Sequence, residues 1–186
     1  GGMNVANVDG RTSGLSPKSK LGYATQASVA IPVGDRFAIV PEAGYTLRGF
    51  SWGESQGTDY TGKPTGTFES LTVTDVVTFA VAAQGRFSLG GPFQASLSFG
   101  PTIGVEGSEQ FDTTGSSNSR IASDDLKNGD FGLLAGAGVD VEAGPGRWGL
   151  GVRYVHGLSD LSRDPLVKHH TRVVEIVAGF TVPIQR

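Results

Sequence analysis

Between Phe93 and Glu106 the chain alternates without a break. Phe93, Ala95, Leu97, Phe99, Pro101, Ile103 and Val105 are apolar, whereas Gln94, Ser96, Ser98, Gly100, Thr102, Gly104 and Glu106 are polar or glycine. Successive side chains leave a strand on opposite sides, so a period of two predicts a strand whose two faces meet different surroundings. The same sorting recurs. Trp148, Leu150, Val152, Tyr154 and Leu158 oppose Gly149, Gly151, Arg153 and Gly157. Phe131, Leu133, Ala135, Ala137, Val139 and Val141 oppose Gly132, Gly136, Gly138, Asp140 and Glu142, with Leu134 the exception. Leu21, Tyr23, Ala27, Val29 and Ile31 oppose Gly22, Ala24, Gln26, Ser28 and Ala30, and Phe37, Ile39, Ala43, Tyr45 and Leu47 oppose Glu42, Gly44, Thr46 and Arg48. Over 71–88 the pattern is looser, with Val73, Val77, Phe79, Val81 and Phe87 against Thr74, Thr78, Gln84 and Arg86. Over 171–184, Val174, Ile176, Ala178, Phe180 and Val182 oppose Glu175, Gly179 and Thr181. A short strand over 1–8 makes eight.

Connections between these strands fall into two kinds that alternate along the chain. Short turns stand at Gly34-Asp35, Gly90-Gly91-Pro92 and Gly144-Pro145-Gly146, where glycine, proline and aspartate supply turn dihedrals. Long connections over 9–20, 51–68, 107–128 and 159–170 are rich in Ser, Thr, Gly, Asp and Asn. In an up-and-down antiparallel sheet this places every long loop at one end and both termini at the other. The expectation is a single domain over 1–186.

Side-chain size decides which face points inward. A closed sheet of eight strands leaves an interior just wide enough to be filled by side chains. Glycines, serines, threonines and a few charges fit there; rows of Phe and Leu do not. The apolar face therefore points outward, and it belongs in lipid. Aromatics cluster toward the strand ends, with Phe37, Phe87, Phe93 and Trp148 beside the short turns and Tyr23, Tyr45, Phe131 and Tyr154 toward the long loops, as two interfacial girdles would require. By parity Asp75 faces lipid, which predicts either a position at the outer rim or a bulge that shifts the register.

Composition narrows the classes that remain. Glycine accounts for 29 of 186 residues, and charged residues for 18%, a glycine-rich and charge-poor balance that fits a tightly filled interior. The net charge of −3 and a pI near 5.6 leave no basic surface for nucleic acid. Cysteine is absent, which removes disulfides, thiol catalysis and thiolate metal sites together. No stretch approaches the ~18 apolar residues of a membrane-crossing helix, and no signal peptide is visible. A mean hydropathy of −0.09 still suits a barrel, since half of each membrane-crossing strand is polar.

The segments GGMNVANV, IVPEAGYTLRG, DFGLLAGAGVDVE, RYVHGLSDL and VAGFTV, taken in this order, resemble the small outer-membrane β-barrel family that includes OmpA-like and PorT-like proteins. The resemblance spans nearly the whole chain. It implies an all-β, eight-stranded antiparallel up-and-down transmembrane barrel in the outer membrane of a Gram-negative bacterium, with long loops extracellular and termini periplasmic. The abrupt start at Gly1 suggests residues upstream, and the ending VPIQR lacks the terminal aromatic typical of the family's insertion signal.

Candidate chemistry lies in the lumen. Glu42, Arg48, Arg86, Asp140, Glu142, Arg153 and Glu175 all face inward by parity, and such groups persist in a narrow low-dielectric interior only if paired and hydrogen-bonded. They read as a salt-bridge plug, with a narrow gated channel as the alternative. An enzymatic reading would need His156, Ser159 and a carboxylate, as in lipid A deacylases of similar architecture. The HGLSD spacing does not match their pattern, so no catalytic residue is expected. His169 and His170 have no spaced third ligand, so neither metal nor cofactor is expected. Glu106, Glu109, Asp112, Asp124, Asp125 and Asp130, with Arg120 and Lys127, read as a solvated loop and its flanks. The glycine clusters lack the strand-to-helix setting of a phosphate loop. The expected role is non-enzymatic: a membrane anchor with loop-mediated contacts, alone or as a subunit of a larger envelope assembly. Its expected partners are outer-membrane lipids, lipopolysaccharide included, and proteins at the loops.

Overall fold

The structure is a computed structural model, and it describes residues 1–9, 18–58, 61, 63–113, 129–159 and 170–183. Among these residues nine strands appear: β1 Gly2–Asp9, β2 Lys18–Ser28, β3 Ile31–Val33, β4 Phe37–Thr58, β5 Pro64–Gly90, β6 Phe93–Thr113, β7 Gly129–Ala143, β8 Gly146–Gly157 and β9 His170–Thr181. All pair antiparallel in the order β2-β1-β9-β8-β7-β6-β5-β4-β3, and β2 also pairs with β4, which closes the sheet on itself. Closure leaves no open edge around the barrel wall between β1 and β9 or between β2 and β4.

β2 and β3 form one stave, so the barrel has the eight staves expected. The stave breaks at Val29 and Ala30, where the Val29 amide still donates to the Pro41 carbonyl at 3.1 Å, and Ile31 then resumes opposite Ile39 on β4. The short turns fall where glycine and proline predict them. Gly34 and Gly144 adopt φ of 75° and 65°, a left-handed conformation that costs a residue without Cβ little.

Burial is the inverse of a water-soluble protein. Phe37, Leu21, Phe99, Trp148 and Leu150 are among many large apolar side chains exposed on the outer wall. The buried apolar side chains are Ala24, Ala38, Val40, Val76, Ala80, Ala82, Leu134, Val155 and Val173. Only Leu134 in that set is larger than valine. A soluble monomer rarely exposes a contiguous apolar patch above ~300–600 Å², whereas here the exposed apolar residues girdle the barrel. The interior is also less uniformly polar than parity suggests, because Leu134, Val155 and Val173 join Ala80 and Ala82 in one inward cluster.

Three strands run far past the wall. β4, β5 and β6 have 22, 27 and 21 residues, about twice the ~9–11 needed to cross a bilayer. The segment 51–68, expected as a loop, is mostly ladder: Ser55 pairs with Phe68, and Thr58 with Pro64. Strand β6 likewise continues through the start of the expected 107–128 loop, with Thr113 opposite Ser70. Among the described residues β4 pairs with β2 as far as Ser51 and β6 with β7 as far as Val105, and β4, β5 and β6 stay paired with one another beyond those positions as a three-stranded ribbon.

Candidate functional site: a filled lumen and two rims

Arg153 sits in the middle of the lumen because β8 alternates strictly and Arg153 falls between outward-facing Val152 and Tyr154. In register it faces Gly136 on β7 and Glu175 on β9. A Cβ on Gly136 would lie 3.4 Å from Arg153 Cγ and 2.6 Å from Ser98 Oγ, so the glycine face of β7 makes room for the long side chain. Arg153 Nη1 reaches Glu42 Oε2 on β4 at 2.9 Å, and Nε lies 3.6 Å from Glu175 Oε2. Nη1 also donates to the Gln26 side-chain oxygen on β2. The three charged side chains are only 13%, 14% and 6% exposed, which is why the guanidinium must serve two carboxylates at once. Around them lies a cavity of about 20 Å³, lined in part by Gln26, Glu42, Thr46, Thr78, Arg153 and Glu175. That is room for about one water.

A second polar layer lies toward the short turns. Arg86 Nε donates to Gln84 Oε1 at 3.0 Å, so its partner is an amide. Arg147 donates to the Gln94 side-chain oxygen and lies 3.5 Å from Glu142. Asp140 sits opposite Gly149 in the field of Arg147 and Arg86. Glu142 departs from the expectation. Its side chain is 64% exposed, because it stands one residue before the end of β7 at the mouth. Arg147 was absent from the sequence-based set, although its parity, one residue before outward Trp148, carries the signal.

Toward the long connections the lumen closes on apolar side chains. Gly100, Leu134, Val155 and Val173 are successive cross-strand neighbours on β6, β7, β8 and β9. Leu134 is 1% exposed and Val173 fully buried. Beyond them Asn4, Thr46, Thr74, Asp130 and Thr171 are buried, and Asn4 Nδ2 donates to the Leu47 carbonyl at 3.1 Å. Asp130, expected at the flank of a solvated loop, is instead an inward residue at the start of β7. The side chain of Arg48 lies outside the described residues. So do the side chains of Glu106, Glu109, Asp112 and His170, and the whole of Arg120, Asp124, Asp125, Lys127 and His169.

On the outer wall the aromatics stand where their parity places them. Phe37, Phe87, Phe93 and Trp148 lie exposed near the short turns, and Tyr23, Phe131 and Tyr154 are exposed higher up, with Tyr45 half-buried. Trp148 packs on Phe180 with ring centres 4.7 Å apart, and Tyr23 meets Tyr45 at 6.3 Å. Phe180 completes the lower ring and was not among the expected girdle residues. Asp75 lies at a register shift between Thr74 and Val76, and it hydrogen-bonds to the Tyr45 hydroxyl. Among the described residues, Ser159 and His156 engage other partners. Ser159 Oγ accepts from the Phe131 amide at 2.8 Å, and His156 stacks on Tyr154, with ring centres 6.2 Å apart. Among the described residues no group of three or more His, Asp or Glu side chains is placed to hold a metal ion.

An apolar wall rimmed by aromatics around a filled lumen is the architecture of an outer-membrane barrel, and residues 1–163 match the family described as outer membrane protein beta-barrel domain. The chain belongs to that family. Its place is the bacterial outer membrane. Among solved structures it is similar to neisserial surface protein A, NspA, at 17% identity over 98% of this chain and 95% of that one, with a TM-score of 0.56. A second likeness is to Ail, the attachment invasion locus protein of Yersinia pestis, in complex with the heparin analogue sucrose octasulfate. It has 16% identity over 96% and 93% of the two chains and a TM-score of 0.41. At these identities the likeness to NspA speaks for the shared barrel fold alone. A sequence search of curated proteins returns no match.

Proposed function

We propose that this outer-membrane barrel is a sealed, non-enzymatic anchor that holds the β4–β6 ribbon and its long connections outside the cell, where they contact a protein partner. The observation that carries this reading is the filling of the lumen. An ion cluster at Arg153, an apolar row at Leu134, Val155 and Val173, and a cavity with room for about one water all support a lumen closed to solutes. A wall that conducts nothing is then useful for what it carries.

Purified barrel in planar bilayers is expected to give no discrete conductance. Reproducible conductance steps that Arg153→Ala abolishes or alters would overturn the sealed reading in favour of a narrow channel.

A further inference from the structure

The upper limit of the apolar wall is drawn by the first charged or titratable side chains that face outward on each strand. On β8 the outward series Trp148, Leu150, Val152 and Tyr154 ends at His156. On β9 the series Phe180, Ala178, Ile176 and Val174 ends at Arg172. His156 and Arg172 are direct cross-strand partners. His156 stands eight residues beyond Trp148, a climb of roughly 20 Å for a strand tilted at a usual barrel angle. The apolar band of such barrels is ~25 Å tall, so the pair sits at the level of lipid headgroups.

We propose that His156 and Arg172, on the outer wall beside Tyr154, Phe131 and Leu158, bind the phosphorylated headgroup of an outer-leaflet glycolipid. The proposal rests on the reading that the long connections face outward. The chemistry of the patch is bipartite. Arg172 is exposed, and its guanidinium is a planar fork of donors that matches phosphate oxygens. The Tyr154 hydroxyl lies 3.4 Å from His156 Nδ1. A hydroxyl donating there leaves the ring proton on Nε2, which donates to an anion without a net charge on the ring. Below these donors Tyr154 and Val174 form apolar wall against which acyl chains pack, and Phe131 and Leu158 flank the pair on the side of the long connections. The opposite sector of the same rim is different: there Asp75 and Tyr45 present a carboxylate and a phenol. Of these two sectors, the one on β8 and β9 carries the donors for an anion. The occupant is a membrane lipid and not free phosphate, because the donor pair is continuous with wall that only acyl chains cover.

Refolded barrel in detergent, offered lipid A with both phosphates and the same glycolipid stripped of phosphate, is read by native mass spectrometry. The wild type is expected to retain the phosphorylated lipid about tenfold more tightly, the scale of one or two charge-assisted hydrogen bonds. Arg172→Gln and His156→Gln each reduce that preference and together abolish it, Arg172→Lys keeps part of it, and Arg36→Gln in a turn at the other end leaves it whole. The heat-dependent gel shift reports an intact barrel in each variant; should the double variant lose it, the single variants decide. Equal retention of the two lipids by the wild type, an undiminished preference in the folded glutamine variants, or displacement by inorganic phosphate at equal concentration would overturn the site. None of those results bears on conductance, so the sealed reading stands or falls separately.

Discussion

Arg153 lies 2.9 Å from Glu42 and 3.6 Å from Glu175, and its removal leaves two carboxylates facing each other in a closed space. Breaking a buried ion pair by deleting one partner costs about 3–5 kcal/mol, because the remaining charge has lost its compensation. Arg153→Met is therefore expected to lower the unfolding free energy of the detergent-refolded barrel, read from its urea transition, by an amount on that scale, and adding Glu42→Gln with Glu175→Gln is expected to restore most of it. An Arg153→Met midpoint equal to wild type would show that the cluster contributes nothing to stability. Parity along single strands was enough to turn these three side chains inward. It could not pair them, since Arg153 meets Glu42 from across the lumen, and Gln94, the partner of Arg147, stands on another strand; Gln84, two residues from Arg86 on the same face of β5, lay within its reach.

At the scale of the element, β5 and β6 show how glycine fixes the distance between staves. A Cβ on Gly100 would stand 2.1 Å from the Val81 carbonyl oxygen and 2.8 Å from Ala82 Cα, both backbone atoms that cannot turn aside. Gly100→Ala must push β6 away from β5 and disturb the adjacent Leu134 layer. A loss of about 1–3 kcal/mol is expected, the usual cost of forcing an extra carbon into a packed site. A Cβ added at Gly179 would meet no heavy atom within 4 Å, and Gly179→Ala is expected to leave the unfolding midpoint unchanged. Equal midpoints for the two variants would mean that the close approach is not a constraint. The elements themselves were largely readable, but their lengths were not. Serine, glycine and threonine over 51–68 look like loop, yet these residues complete a ladder when a partner strand supplies the hydrogen bonds. The break at Val29 and Ala30 left no mark either, because the outward parity of Val29, Ile31 and Val33 continues through it.

For the molecule as a whole, orientation in the membrane is the property to test. The chain has no cysteine, so a single introduced thiol reports its own position. Thr61→Cys, between β4 and β5, is expected to react with a membrane-impermeant maleimide on intact cells. Asp35→Cys, in the turn between β3 and β4, is expected to react only after the outer membrane is permeabilised. The reverse pattern would invert the barrel and remove the basis of the surface role. Much of the global design was determined by the sequence alone: the all-β fold, an apolar exterior against a small-residue interior, and short turns alternating with long connections. These follow from a period of two and from side-chain volume, both of which act within a single strand. Tertiary structure alone decided that the lumen closes on a Leu134 layer as well as on charges, that Glu142 belongs to the mouth, and that His156 meets Arg172 on the outer rim. Each depends on register and on contacts across the barrel, where residues far apart in the chain are set side by side by the ladder of hydrogen bonds and by nothing in their own neighbourhood.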